Sequence, residues 1–243
     1  QAHDDELEAF RAYAHRFPET VLLVDTYDTL EGVRKVVRLA RELGPDFRVR
    51  AVRLDSGDLV ALARAARAEL DAAGLERVRL FASGGLDEDE VARLLEHGAP
   101  IDGFGVGTAM GVSADAPYLD MAYKLVAYAG RGRLKLSAGK VLLPERKQVF
   151  RLEEDGVARW DVLARHDEVQ PGRPLLRKVM EGGRRLEGAT PELKVVRARA
   201  REELARLPPS LRRLERAEPP YRVEVSAALA EERRRMAAEQ RAP

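Results

Sequence analysis

Between residues 21 and 108 one pattern recurs: a short apolar run, a polar or glycine-rich turn, then a helix pattern. The run 21–24 ends at Asp25, and Thr26-Tyr27-Asp28-Thr29 leads into a helix pattern over 30–43 with Val33, Val36, Val37 and Ala40 on one face. The run 49–54 ends in Asp55-Ser56-Gly57-Asp58 before a helix pattern over 58–73. The run 78–82 ends in Ser83-Gly84-Gly85, and the helix that follows opens with Asp87, Glu88, Asp89 and Glu90, where its dipole favours acids. The run 101–106 ends in Gly105-Val106-Gly107-Thr108. Strands that hand over directly to helices at this spacing predict a parallel α/β arrangement. Eight such units would close a barrel. Four do not, so either further units precede Gln1 or the sheet is open.

Outside this block the pattern changes. Residues 4–16 carry Leu7, Phe10 and Tyr13 or Ala14 at helical spacing, and Pro18 stops them. A helix is expected after Pro117, carrying Tyr118, Met121, Leu125 and Tyr128. From Leu134 the chain becomes alternating and basic, which predicts two antiparallel strands around Pro144. Residues 161–173 read as a polar linker. A Gly182-Gly183 turn, an amphipathic helix over 191–207 and a final charged helix over 227–240 complete the chain.

Bulk properties exclude several classes. A chain of 243 residues with 45% hydrophobic content has ample core for one large α/β domain with an appendage. Its formal charge is only +1, so no global field draws it to nucleic acid. It has no cysteine, hence no disulfide or thiolate metal site. The four histidines are scattered without ligand spacing. No apolar run reaches membrane-spanning length, which makes a cytoplasmic protein the default expectation. The start at Gln1, inside a helix pattern, suggests a piece of a longer polypeptide.

Candidate chemistry collects at the strand ends, where α/β proteins place their sites. Arg53 and Asp55 share one face of their strand. A guanidinium can clamp a carboxylate, and a carboxylate can hold sugar hydroxyls, a metal-bound phosphate or a histidine; an ion pair between the two is the plainer alternative. Asp25 occupies the equivalent position one strand earlier, while Asp28 and Asp58 also suit helix capping. Ser83-Gly84-Gly85 and Gly105-Val106-Gly107-Thr108 lie on consecutive strand ends, where glycines let backbone N–H groups approach a phosphate or simply make tight turns. Lys124, on an otherwise apolar face, and the cations Lys135, Lys140, Arg146 and Lys147 add positive charge.

The blocks VDTYDT (24–29), RLDSGDL (53–59), FASGGLDE (81–88), DGFGVGT (102–108), YKLV (123–126), KLSAGK (135–140) and KQVFR (147–151), in this order and spacing, resemble nicotinate phosphoribosyltransferases. The carboxy-terminal stretches ARAREELARLPPSLRRL and YRVEVSAAL are also similar. The resemblance implies an α/β fold: part of an irregular, TIM-like phosphoribosyltransferase barrel over 1–133, short strands and a basic loop over 134–170, and a carboxy-terminal helical appendage over 171–243. It implies formation of nicotinate mononucleotide and pyrophosphate from nicotinate and phosphoribosyl pyrophosphate, coupled to ATP hydrolysis through a phosphohistidine, in NAD biosynthesis. Mg²⁺ would accompany the phosphate substrates, and the assembly would be a homodimer.

By the same resemblance, Arg53 would contact the nicotinate carboxylate, Asp55 the ribose hydroxyls, and Asp25 would support the phosphohistidine. Ser83, Gly84, Gly85, Gly105, Gly107 and Thr108 would hold the 5′-phosphate of the product. Lys124 and the 140–147 region would lie near the phosphate-rich substrates. The family's phosphohistidine block precedes the segment resembling QAHDDELEAF and so falls outside this chain; His3 lies after it. Pro144-Glu145 stands where the family has Pro-Gly. The related nicotinamide enzyme, and a phosphate-binding or dimerisation fragment without activity, are the alternative readings.

Overall fold

The computed structural model describes residues 2–113, 122–137, 142–213 and 215–241. The chain divides into two compact units, Gln1–Leu142 with Gln240–Pro243, and Leu143–Glu239.

The first unit begins with α1 (Glu6–Arg16), followed by β1 (Val21–Leu23), α2 (Thr29–Leu43), β2 (Ala51–Leu54), α3 (Leu59–Ala72), β3 (Arg79–Ser83), α4 (Glu88–Glu96), β4 (Gly103–Gly105) and the single turn α5 (Thr108–Gly111). The four strands form one parallel sheet in the order β1-β2-β3-β4. The sheet is open, and no closed barrel is formed among the described residues. Each of the helices α1 to α4 starts on an aspartate whose carboxylate accepts from a first-turn backbone N–H: Asp5 from Glu8, Asp28 from Glu31, Asp58 from Val60 and Ala61, and Asp87 from Glu90. Asp28 and Asp58 are therefore helix caps.

The register assigns the two sheet faces. Leu22, Val24, Val52, Leu54, Leu80 and Ala82 pack into one core with Val33, Val36, Leu39, Ala63, Ala66, Leu70 and Leu94 of the helices. At Gly32 of α2 a Cβ would stand 2.2 Å from the Val24 carbonyl oxygen, so only glycine lets this helix approach β1. The alternate residues Val21, Leu23, Ala51, Arg53, Arg79, Phe81, Ser83, Gly103 and Gly105 lie on the opposite face. The helix residues of the core pack on the first face, whereas Arg53 and Val21 are well exposed on this second one.

The helix expected after Pro117 is corrected where it is described. Tyr118 and Met121 lie outside the described residues, and residues 122–126 have no regular structure. Tyr128 belongs to a hairpin of β5 (Ala127–Tyr128) and β6 (Arg131–Gly132), because Ala129-Gly130 both adopt positive φ and turn the chain back.

The second unit is built on the antiparallel pair β7 (Lys147–Glu154) and β8 (Val157–Arg165). Of the strand pair expected around Pro144, the second strand is β7, residues 134–137 and 142–143 of the first have no regular structure, and 138–141 lie outside the described residues. The hairpin turns at Asp155-Gly156, with φ of 50° and 76°, and Asp161 is a strand residue rather than linker. The short β9 (Arg173–Pro174) pairs with β7. The hairpin β10 (Met180–Glu181) and β11 (Arg184–Arg185) and the helix α6 (Leu193–Ala205) follow. Then β12 (Arg222–Val225) joins β8 in parallel, completing the order β12-β8-β7-β9, and α7 (Ala227–Arg241) ends the chain. A small core of Phe150, Val162 and Ala164, with Leu152 and Trp160 against it, holds the sheet. Arg151 grips Asp161 through two hydrogen bonds of 2.9 Å, and the Tyr221 hydroxyl donates to the same carboxylate. α6 has no buried residue; its tie is Glu203, which accepts from Arg173.

Candidate functional site

Three side chains from two neighbouring strand ends form a closed triangle. The Arg53 Nε donates to the Ser83 Oγ at 2.7 Å, Arg53 Nη2 donates to Asp55 Oδ1 at 2.8 Å, and the Ser83 hydroxyl donates to that same oxygen at 2.6 Å. The parallel register makes this possible: β2 and β3 run side by side with Leu54 opposite Ala82, so Asp55 and Ser83 emerge together. Ser83 is buried, whereas the Arg53 side chain is 44% exposed. The guanidinium is therefore braced from behind and still presents donors on the second face.

Glycine brings the two loops into contact. A Cβ at Gly84 would fall 2.3 Å from the Asp55 carbonyl oxygen, and Gly84 and Gly85 have φ of +97° and +67°. Ser83 pairs with Gly105 in the register, so the two glycine-rich turns are adjacent. Gly105 has a packing reason of its own, since a Cβ there would meet the Phe81 ring at 3.1 Å and the Ser83 Cβ at 3.3 Å. Gly107 faces open space and precedes Thr108 at the start of α5.

Asp25 is 1% exposed. The Ser56 hydroxyl donates to its Oδ2, while Oδ1 is buried without a hydrogen-bond partner among the described residues. Its backbone carbonyl accepts from the Ser137 hydroxyl, and the Leu136 N–H donates to the Thr26 carbonyl at 3.0 Å. The stretch 133–137 thus passes over the turn after β1. Ser56 and Ser137 are absent from the candidates read from sequence. Ser137 lies 112 residues from Asp25, and no local signal links the two.

Lys124 is exposed in the irregular stretch 122–126, with no carboxylate paired to it among the described residues. Lys140 lies outside the described residues. Lys147 directs its ammonium to the carbonyl oxygens of Leu143, Pro144 and Glu145, at 2.8, 3.2 and 2.5 Å, and burial pulls its pKa down. It therefore clamps a turn in the second unit. No group of three or more His, Cys, Asp or Glu positioned for a metal occurs among the described residues. No helix among them is long and apolar enough to cross a membrane.

The nicotinate phosphoribosyltransferase C-terminal domain family matches residues 172–233. The nicotinate phosphoribosyltransferase pncB2 of Mycobacterium tuberculosis is 57% identical over 226 residues, covering 93% of this chain and 49% of that protein. The nicotinate phosphoribosyltransferase of Bacillus subtilis is 41% identical over 177 residues, covering 69% and 36%, and that of Homo sapiens 35% over 265 residues, covering 94% and 49%. The chain thus spans about half the length, or less, of these curated relatives. A crystal structure of human nicotinic acid phosphoribosyltransferase aligns at 32% identity over 95% of this chain and 49% of that one, with a TM-score of 0.41.

Proposed function

The chain belongs to the nicotinate phosphoribosyltransferase family, and on that premise we propose that the complete gene product joins nicotinate to phosphoribosyl pyrophosphate. The products are nicotinate mononucleotide and pyrophosphate, and the reaction feeds NAD biosynthesis. The observation that carries this reading is the Arg53–Ser83–Asp55 triangle at the strand ends. A planar guanidinium with exposed donors suits the pyridine carboxylate, and an adjacent carboxylate suits the ribose hydroxyls. The paired turns 83–85 and 105–108 offer backbone N–H groups for the 5′-phosphate. Lys124 adds a cation for the phosphate-rich substrates.

Asp25 would face a phosphohistidine that couples ATP hydrolysis to the transfer, and its unpartnered buried Oδ1 supports such a neighbour. The sheet would form part of a TIM-like barrel, the protein would work as a cytoplasmic homodimer, and Mg²⁺ would arrive on the substrate phosphates. What these residues supply is positioning: the acid by Arg53, the sugar by Asp55, the phosphate by the glycine turns.

The test is Arg53→Ala in the complete gene product. KM for nicotinate should rise at least about tenfold while KM for phosphoribosyl pyrophosphate changes little, since removal of a charged hydrogen bond is worth roughly 1.5–3 kcal/mol. Equal rises in both constants would remove Arg53 from the carboxylate role.

A further inference from the structure

We infer that Phe81 is a specificity-determining residue that closes the inner end of the acid-binding site and so admits only a ring unsubstituted opposite its nitrogen. The inference rests on the reading of Arg53 and Asp55 given above.

Phe81 is the direct register partner of Arg53 on the neighbouring strand, and both lie on the second face. Adjacent strands are about 4.8 Å apart, so the two side chains stand side by side. One step toward the carboxyl end on that face is Ser83, part of the triangle. One step toward the amino end is Arg79, which lines a cavity of about 570 Å³ together with Val21, Ala51, Gly103 and Phe81 itself. Phe81 therefore sits between the charged site and the cavity.

Its ring is held there by β4. A Cβ at Gly103 would come 3.0 Å from the Phe81 Cδ2, and one at Gly105 3.1 Å from Cε1. Both glycines thus clear space for one ring lying across the strand. Phe81 belongs to neither the helix-side core nor the residues packed against it. A half-buried aromatic seated on two glycines, on the face opposite the core, is placed for a ligand rather than for packing against helices.

The chemistry of the proposed acid gives the direction. With the carboxylate on Arg53 and the ring nitrogen turned to the ribose at Asp55, the ring carbon opposite the nitrogen points back along the strands toward their amino ends. Phe81 is the next side chain in that direction. A substituent on that carbon, or on the carbon beside it away from the carboxylate, meets the phenyl ring. Without the phenyl ring, the substituent would enter the cavity. One extra methyl against an apolar wall changes kcat/KM by about 10–200-fold.

The test uses the complete gene product with nicotinate, 4-methylnicotinate and 5-methylnicotinate. Phe81→Ala should raise the ratio of kcat/KM for a methylated acid over nicotinate by about tenfold or more, chiefly through KM of the acid, with KM for phosphoribosyl pyrophosphate unchanged. Phe81→Leu, which keeps the apolar volume nearer to native, should give a smaller rise in the same direction and serves if the alanine variant does not fold. Gly103→Ala, which drives the ring from its seat, should lower kcat/KM for nicotinate itself. An unchanged ratio in a folded Phe81 variant, or equal rises in KM for both substrates, overturns the inference. Arg53→Ala separates the two failures. If it acts selectively on nicotinate while Phe81 variants do not alter the ratio, the wall alone is wrong; if Arg53→Ala is not selective, the underlying reading fails with it.

Discussion

Arg53 and Ser83 lie 30 residues apart in the chain, yet the guanidinium Nε donates to the hydroxyl at 2.7 Å, and that hydroxyl in turn donates a hydrogen bond to the Asp55 carboxylate at 2.6 Å. Ser83 thus orients a cation and an anion together. Ser83→Ala should leave the fold intact and raise KM for nicotinate by about tenfold, as expected for the loss of a hydrogen bond to a charged group. Steady-state kinetics against both substrates in the complete gene product checks this. An unchanged KM for nicotinate would make the serine a passive neighbour.

Two glycines mark close backbone approaches. At Gly84 an added Cβ meets the Asp55 carbonyl oxygen at 2.3 Å, and the backbone has φ of +97°. Gly84→Ala should destabilise the protein by about 2–4 kcal/mol and displace Asp55. At Gly32 alanine would favour the helix by about 1 kcal/mol, but the 2.2 Å contact with the Val24 carbonyl oxygen forces α2 from β1. The net effect should be a loss of about 1–3 kcal/mol. Urea denaturation measures both, and a stabilised Gly32→Ala would contradict the close approach.

Glu145 has φ of 61°, in the left-handed region that favours glycine. The Lys147 ammonium holds the turn closed. Glu145→Gly removes the strain but adds freedom to the unfolded chain, for a net gain of about 0.5–1 kcal/mol. The expected readout is a small rise in Tm; a fall would mean that the turn is not strained.

Burial by itself would raise the Asp161 carboxyl, but hydrogen bonds from Arg151 and Tyr221 hold it below its ordinary 3.8. The same contact, with burial foremost, pushes the Tyr221 hydroxyl up to about 12. A folded value below the unfolded one contributes stability that is present above pH 3.8 and lost as pH falls through the folded value. Asp161→Asn should therefore destabilise at neutral pH, by about 2–3 kcal/mol. The gap to the wild type should narrow under acid, as read from denaturation midpoints. A gap independent of pH would show that the carboxylate charge is not what Arg151 and Tyr221 hold.

Glu6 behaves in the opposite sense. Burial raises its carboxyl above the ordinary 4.5, and the Lys35 ammonium at 3.0 Å offsets this only in part. Its contribution is fully present below pH 4.5 and lost as pH rises through the folded value. Glu6→Gln removes that titration. The variant should gain on the wild type between pH 4.5 and 7 in denaturation midpoints, whereas a constant difference would sink the idea.

The β-α alternation over residues 21–108 was legible because strand and helix periods are local, and the starts of α1 to α4 were each marked by an aspartate. Asp55 was legible as a strand-end acid for the same reason. Beyond residue 117 the local signals were weaker. Asp155-Gly156 is a strong hairpin turn, but the alternation on both sides of Pro144 is an equally local signal and competes with it for the place of the turn. Lys147 looked like a ligand cation, but its donors are already satisfied by three carbonyl oxygens, a fact that depends on how the turn folds back.

The amino-acid sequence by itself determined which residues stand at the strand ends and on which face each side chain falls, because the period of two and the capping aspartates act over a few residues. Only the tertiary structure decided that Arg53, Ser83 and Asp55 share one hydrogen-bonded triangle, that Ser56 and Ser137 hold Asp25, and that Gly103 and Gly105 seat the Phe81 ring. Those relationships are set by the pairing of separate strands and by the path of a distant segment. Register and chain path depend on how the whole core packs, so no local stretch of sequence encodes them.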